Sequence, residues 1–117
     1  MLYHICSFAE LITARENGLY HPPSLNREGF IHLSTEKQVL ATAQKWFAEQ
    51  DGLWLLQLDG LPIDALIFET PEGYTEAFPH FYAPLSWTLV QHIAPIARNK
   101  KGVFEFPTTW LKRDSAI

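Results

Sequence analysis

Six residues, Leu53-Trp54-Leu55-Leu56-Gln57-Leu58, constrain this chain more than any others. A nearly continuous apolar run of that length is expected to be a strand covered on both faces. Two helix starts are written just as locally. Ser7-Phe8-Ala9-Glu10 and Thr35-Glu36-Lys37-Gln38 both match the capping box, in which the first side chain and the fourth satisfy each other's backbone N–H. The first helix carries Phe8, Leu11 and Ile12 as its stripe and stops at Gly18. The second places Val39, Leu40, Ala43, Trp46 and Phe47 on one stripe and ends at Gly52.

The remaining segments are short. Leu2 to Phe8 alternates as a strand, with Leu2, His4 and Cys6 on one face and Tyr3 and Ile5 on the other. Residues 19–29 are expected to be a loop, because Pro22-Pro23 disfavours helix. Gly29 to Leu33 is a strand that puts Ile31 and Leu33 on one face and Phe30, His32 and Ser34 on the other. Asp59-Gly60 and Pro71-Glu72-Gly73 are turns, with a strand from Leu66 to Glu69 between them. Residues 74–86 form an irregular loop rich in aromatic side chains, Trp87 to Ile93 alternates as a strand, and Val103 to Phe106 is a last one. Two helices and five to seven strands without βαβ alternation give an α+β fold: a single domain over 1–117 with a split, mainly antiparallel sheet, and residues 107–117 as a tail.

Composition narrows the function classes. With 117 residues, 47% apolar and 19% charged, the chain has an ordinary globular make-up and can bury one core. No stretch reaches the roughly 20 apolar residues of a membrane span. Cys6 has no second thiol to pair with and reads as a small core residue. The start of the chain lacks a secretion signal, so a cytoplasmic address is expected. The net charge of −4 divides unevenly: residues 1–97 carry −7, whereas residues 98–117 carry +3 through Arg98, Lys100, Lys101, Lys112 and Arg113. That basic end is either a solvated turn and tail or a small anion-attracting patch. A nucleic-acid partner is disfavoured by the overall charge. Gly-rich phosphate loops, nucleophile elbows and zinc motifs are absent, and His4, His32, His80 and His92 show no helical ligand spacing, so no metal is expected.

Three features carry candidate chemistry. In Gly29-Phe30-Ile31-His32-Leu33-Ser34, His32 and Ser34 share a face, where an imidazole both donates and accepts hydrogen bonds, as a ribose or amide requires. A core histidine beside a helix N-cap would have the same spacing. Phe78-Pro79-His80-Phe81-Tyr82 offers a second imidazole and a phenol among rings able to sandwich a flat heterocycle, or else a lid over the core. Glu69, at a strand end, is either a surface charge or a carboxylate that steadies positive charge on a sugar.

Tyr3-His4-Ile5, the two histidine motifs, Gln38, Trp46-Phe47 and Glu69, in this order, resemble the small bacterial family known as domain of unknown function 952. The resemblance spans roughly residues 2 to 106. It implies a fold similar to the ADP-ribosyltransferase superfamily, which splits NAD at the nicotinamide–ribose bond. The Phe30-Ile31-His32-Leu33 stretch is also similar to the strand histidine of the RNA 2′-phosphotransferases. The resemblance assigns His32 to a ribose hydroxyl with Ser34 in support, His80 or Tyr82 to the nicotinamide, and Glu69 to an oxocarbenium-like ribose, with Glu105 as the late-strand competitor. Glu69 and His32 are thus the candidate catalytic residues, and His32, Ser34, His80 and Tyr82 the candidate binders of NAD as ligand or substrate. An arginine constellation of the phosphotransferase type is missing, since Arg15, Arg27 and Arg98 are scattered. The alternatives are a non-catalytic module that binds a metabolite or peptide, and an interaction protein that uses the aromatic loop as its interface.

Overall fold

A computed structural model describes all of residues 1–117. The expected strand at the start is β1 (Leu2–Ser7), followed by α1 (Phe8–Asn17), β2 (Leu19–Tyr20), α2 (Pro23–Arg27), β3 (Ile31–His32) and α3 (Glu36–Phe47). The second half runs through β4 (Leu53–Leu58), β5 (Leu66–Glu69), β6 (Phe78–Phe81) and β7 (Leu85–Ser86). A 3₁₀ turn (Trp87–Leu89) leads into β8 (Val90–Pro95), β9 (Ala97–Arg98), β10 (Phe104–Glu105) and β11 (Leu111–Lys112). Every strand pairing is antiparallel. The α+β class therefore holds.

The main sheet has the order β1-β4-β8-β11. The apolar run of 53–58 lies inside it, and its alternation divides the core in two. Leu56 and Leu58 join Cys6, Leu11, Tyr20, Val90 and Ile93 on the α1 side. Leu53 and Leu55 join Tyr3, Ile5, Val39 and Ala43 on the α3 side. A second, three-stranded sheet has the order β3-β6-β5. It hangs from β1 by an isolated bridge in which Tyr3 N–H donates to Ser34 C=O at 2.8 Å and Ser34 N–H donates back to Tyr3 C=O at 2.9 Å.

Both capping boxes form. Ser7 Oγ accepts from Glu10 N–H at 3.1 Å while Glu10 accepts from Ser7 N–H at 2.8 Å. Gln38 Oε1 accepts from Thr35 N–H at 3.1 Å. Gly18 caps α1 at φ 72°, a left-handed conformation that favours glycine. Cys6 is buried, and burial pushes its thiol up.

Several expectations need correction. There are three helices, not two: Pro23 opens α2 behind Pro22, at the first helical turn, where a missing N–H costs nothing. The helix α3 ends at Phe47, short of Gly52, and Trp46 is 63% exposed rather than in the core. The aromatic segment is not a loop, because Phe78–Phe81 is the middle strand of the second sheet. Pro79 fits there because it contributes its carbonyl, which accepts from Leu33 N–H at 3.0 Å. The strand expected from Trp87 begins only at Val90. The expected strand Gly29 to Leu33 shrinks to Ile31–His32. Residues 107–117 are not a free tail. They supply β11 on the edge of the main sheet, Asp114 accepts from Trp87 Nε1–H at 3.1 Å, and Ser115 C=O accepts from Arg15 at 2.7 Å.

Candidate functional site

The two faces of the β3-β6-β5 sheet differ sharply in chemistry. Cross-strand partners share a face, and so do residues two apart on one strand. His32 pairs with His80 and Ile31 with Phe81, while Ile67 pairs with His80 and Glu69 with Phe78. One face therefore holds Ile31, Leu33, Phe81 and Leu66, which pack into the α1-side core. The other collects Phe30, His32, His80, Tyr82, Ile67 and Glu69. Folding thus brings both histidine motifs and the strand-end carboxylate together, although the histidines lie 48 positions apart in sequence.

The bonding on this face is directional. Glu69 Oε1 accepts from His80 Nδ1–H at 2.8 Å and also from the Tyr82 hydroxyl. These two donors, Tyr82 first, hold the Glu69 carboxyl below its usual range, and the same bond raises the Tyr82 phenol. On the neighbouring strand, Glu28 Oε1 accepts from His32 Nε2–H at 3.0 Å. Phe30 stacks on His80 with centroids 3.9 Å apart and planes at 16°, and lies 5.3 Å from Tyr82. The rings of His32 and His80 are 5.7 Å apart. Gly29, at φ 88°, makes the turn that leads from α2 to Phe30.

Two core groups support the site from behind. His4 Nδ1–H donates to the His32 carbonyl at 2.7 Å, and the Tyr20 hydroxyl donates to His4 Nε2 at 2.7 Å. Burial holds His4 below the usual histidine range. Gln38 Nε2–H donates to Ala77 C=O at 2.7 Å and ties the approach to β6 onto α3.

Ser34 is not brought to the face. It is buried and its hydroxyl lies 3.5 Å from Thr42 on α3. Glu105 is likewise elsewhere, on β10 beside a cavity of about 370 Å³ bounded by Phe106 and residues 107–109. A second cavity, of about 190 Å³, lies between Met1, Leu2 and Leu61. The histidine face lies outside both. Three arginines are engaged elsewhere: Arg15 donates to the Ser115 carbonyl, Arg113 to the carbonyls of Thr88 and Val90, and Arg98 to Asp51 and to the carbonyls of Ala48 and Gln50 just after α3. The basic end of the chain is thus spent partly on structure. Phe30 and Glu28 join the site although neither is among its candidate residues. Phe30 was legible as a same-face neighbour of His32, whereas Glu28 lies in the turn before the strand, where spacing carries no direction. No group of three or more His, Cys, Asp or Glu side chains is arranged to hold a metal ion, and no helix is long and apolar enough to cross a membrane.

Comparison with solved structures gives protein CC0527 from Caulobacter crescentus. Its X-ray structure has a TM-score of 0.78 and 35% identity, with 89% of this chain and 92% of that chain covered. Its solution NMR structure gives 0.77 and 36%, with 87% and 89% covered. No curated protein matches. Residues 5–93 match the family described as "Protein of unknown function (DUF952)". The chain belongs to the DUF952 family.

Proposed function

We propose that the face carrying His32, Glu69, His80 and Tyr82 binds a ribonucleotide of the NAD type through its nicotinamide–ribose half, within an ADP-ribosyltransferase-like fold. The observation that supports this most is the convergence of both histidine motifs on Glu69 across one sheet. A pyridinium ring is a flat cation. The Phe30 and Tyr82 rings offer it electron-rich faces, and Glu69 offers a negative charge. Ribose hydroxyls are donors, which the free imidazole nitrogens accept. The fit stops at that half, since no basic side chain bonds within this face to meet a diphosphate. Bound there, NAD would supply a nicotinamide leaving group whose departure places positive charge on the ribose. Glu69 would steady that charge, and His80 and Tyr82 would hold its carboxylate in place.

An observation favours a second reading. The face is open to solvent, with the Glu28, His32, Glu69 and Tyr82 side chains all exposed. A non-catalytic module that binds a metabolite or peptide on this surface meets the same geometry without any bond breaking.

Calorimetric titration with millimolar NAD tests the proposal, with His32→Ala as control and nicotinamide release followed in the same sample. Binding abolished by the substitution supports the site, and released nicotinamide adds catalysis. Binding without release supports the second reading. No heat at millimolar NAD overturns the nucleotide assignment.

A further inference from the structure

We infer that the histidine face is built to take a guanidinium group, such as an arginine side chain presented by a peptide. This goes beyond the nucleotide reading and does not depend on it. The face has three polar donors: His80 Nδ1–H, the Tyr82 hydroxyl and His32 Nε2–H. All three are spent on carboxylates within the face. Both carboxylates bond through Oε1 alone, so Glu69 Oε2 and Glu28 Oε2 keep their lone pairs free. Each imidazole likewise keeps one acceptor nitrogen, Nε2 in His80 and Nδ1 in His32. The side chains of His32, Glu28, His80 and Glu69 therefore turn only acceptors outward.

His80 is the second, independent indication. Its side chain is only 8% exposed, yet its Nε2 has no protein partner. No buried side-chain nitrogen or oxygen in the fold lacks a partner, so Nε2 must reach solvent at the face. It is an acceptor open to a donor from solvent, on the ring that Glu69 holds and 5.7 Å from the His32 ring that Glu28 holds. Glu28 and Glu69 are 44% and 41% exposed on their side chains, within reach of a ligand from solvent. The aromatic rings add a shape requirement, because the exposed Tyr82 ring presents a flat surface beside Phe30, which stacks on His80. A guanidinium is flat, cationic, rich in N–H donors and without acceptors, and it stacks on aromatic rings while bridging carboxylates. A lysine ammonium lacks the plane, and an anion would meet two carboxylates.

Three peptide-like probes separate charge from shape. The full chain is titrated by NMR with N-acetyl-arginine amide, with the neutral isostere N-acetyl-citrulline amide, and with N-acetyl-lysine amide. Arginine is expected to bind at least about tenfold more tightly than either other probe, with shifts at His32, His80 and Glu69. Glu69→Gln and Glu28→Gln, each checked for an unchanged melt, should reduce the preference over citrulline severalfold. Free L-arginine, run alongside, shows whether the amino acid or only its peptide form is accepted. Equal affinity for the three probes, a preference untouched by both variants, or no shifts at tens of millimolar arginine probe would overturn the inference. An NAD titration distinguishes the two failures. NAD binding without arginine preference sinks the guanidinium site alone, and arginine preference without NAD binding sinks the nucleotide reading alone.

Discussion

Acidification below pH 6.5 should weaken this fold through one core histidine, His4. Its ring is enclosed on β1 and both nitrogens are engaged: Nδ1–H donates to the His32 carbonyl, and Nε2 accepts from the Tyr20 hydroxyl. A second proton has to go to Nε2, where it would displace that donor and charge a buried ring. Burial therefore holds His4 below the usual histidine range. As pH falls through about 6.5, unfolded His4 takes up a proton and folded His4 does not. The unfolded state then binds one proton more, and stability falls as pH falls, by at most about 1.4 kcal/mol per pH unit until the folded ring titrates. His4→Gln removes the titration and retains an N–H donor for the carbonyl and an oxygen acceptor for Tyr20. Urea melts of both proteins at pH 7, 6 and 5 isolate the effect. Between pH 6 and 5 the wild type should lose more than the variant, by up to about 1.2 kcal/mol while the folded ring stays neutral, because roughly three-quarters of unfolded His4 is already protonated at pH 6. Parallel curves for the two proteins across this window would refute the reasoning.

Tyr82→Phe removes the first of two donors to Glu69, so the Glu69 carboxyl should rise toward its ordinary value, as carbon-13 NMR titration can report; an unmoved titration would mean that the hydroxyl does not hold it. Leu56→Ala, at a fully buried position in the central strand β4, should cost about 2–5 kcal/mol in a denaturant melt. Loss below 1 kcal/mol would show that β4 is not in the core. Gly18→Ala forces a side chain into φ 72° and should cost about 1 kcal/mol, with no contact to offset it. Truncation after Phe106 removes β11 and the Trp87–Asp114 and Arg15–Ser115 bonds, so the melting temperature should drop by several degrees; an unchanged melt would restore residues 107–117 to a free tail.

What was legible in the sequence was what local chemistry decides. The capping boxes at Ser7 and Thr35 form because their partners are three residues away, and Gly18 stops α1 for a reason internal to one residue. The strand β4 was legible because alternation is immaterial when both faces are covered. The failures share a different cause. Pro79 disguised a central strand, since its lost N–H matters only in relation to where β3 turns away. Pro22-Pro23 disguised a helix start, because proline is excluded from helix interiors but not from first turns. Alternation places Ser34 beside His32, but the ladder with β6 stops at His32 and the chain crosses to β1. His32, His80, Glu69 and Tyr82 were each visible as residue types in suggestive surroundings. Their convergence depends on the register of three strands drawn from separate parts of the chain.

That register is held from the core side, which ties stability to the site. The strand β3 has only two residues and cannot fix its own position through its ladder to β6. Its exit is instead held by β1 at two successive places, the His32 carbonyl bonded to His4 and the Ser34 backbone bridged to Tyr3. Both holding residues belong to a six-residue strand fully paired with β4. His4 thus has a structural role despite its contact with His32: its two nitrogens are consumed, whereas His32 and His80 each keep one free. The distinction follows from donors and acceptors rather than from proximity. A substitution that breaks the His4 hold should therefore disturb the position of His32 before it alters the Glu69–His80–Tyr82 group, because that group is bonded entirely within β5 and β6 and the residue that follows β6.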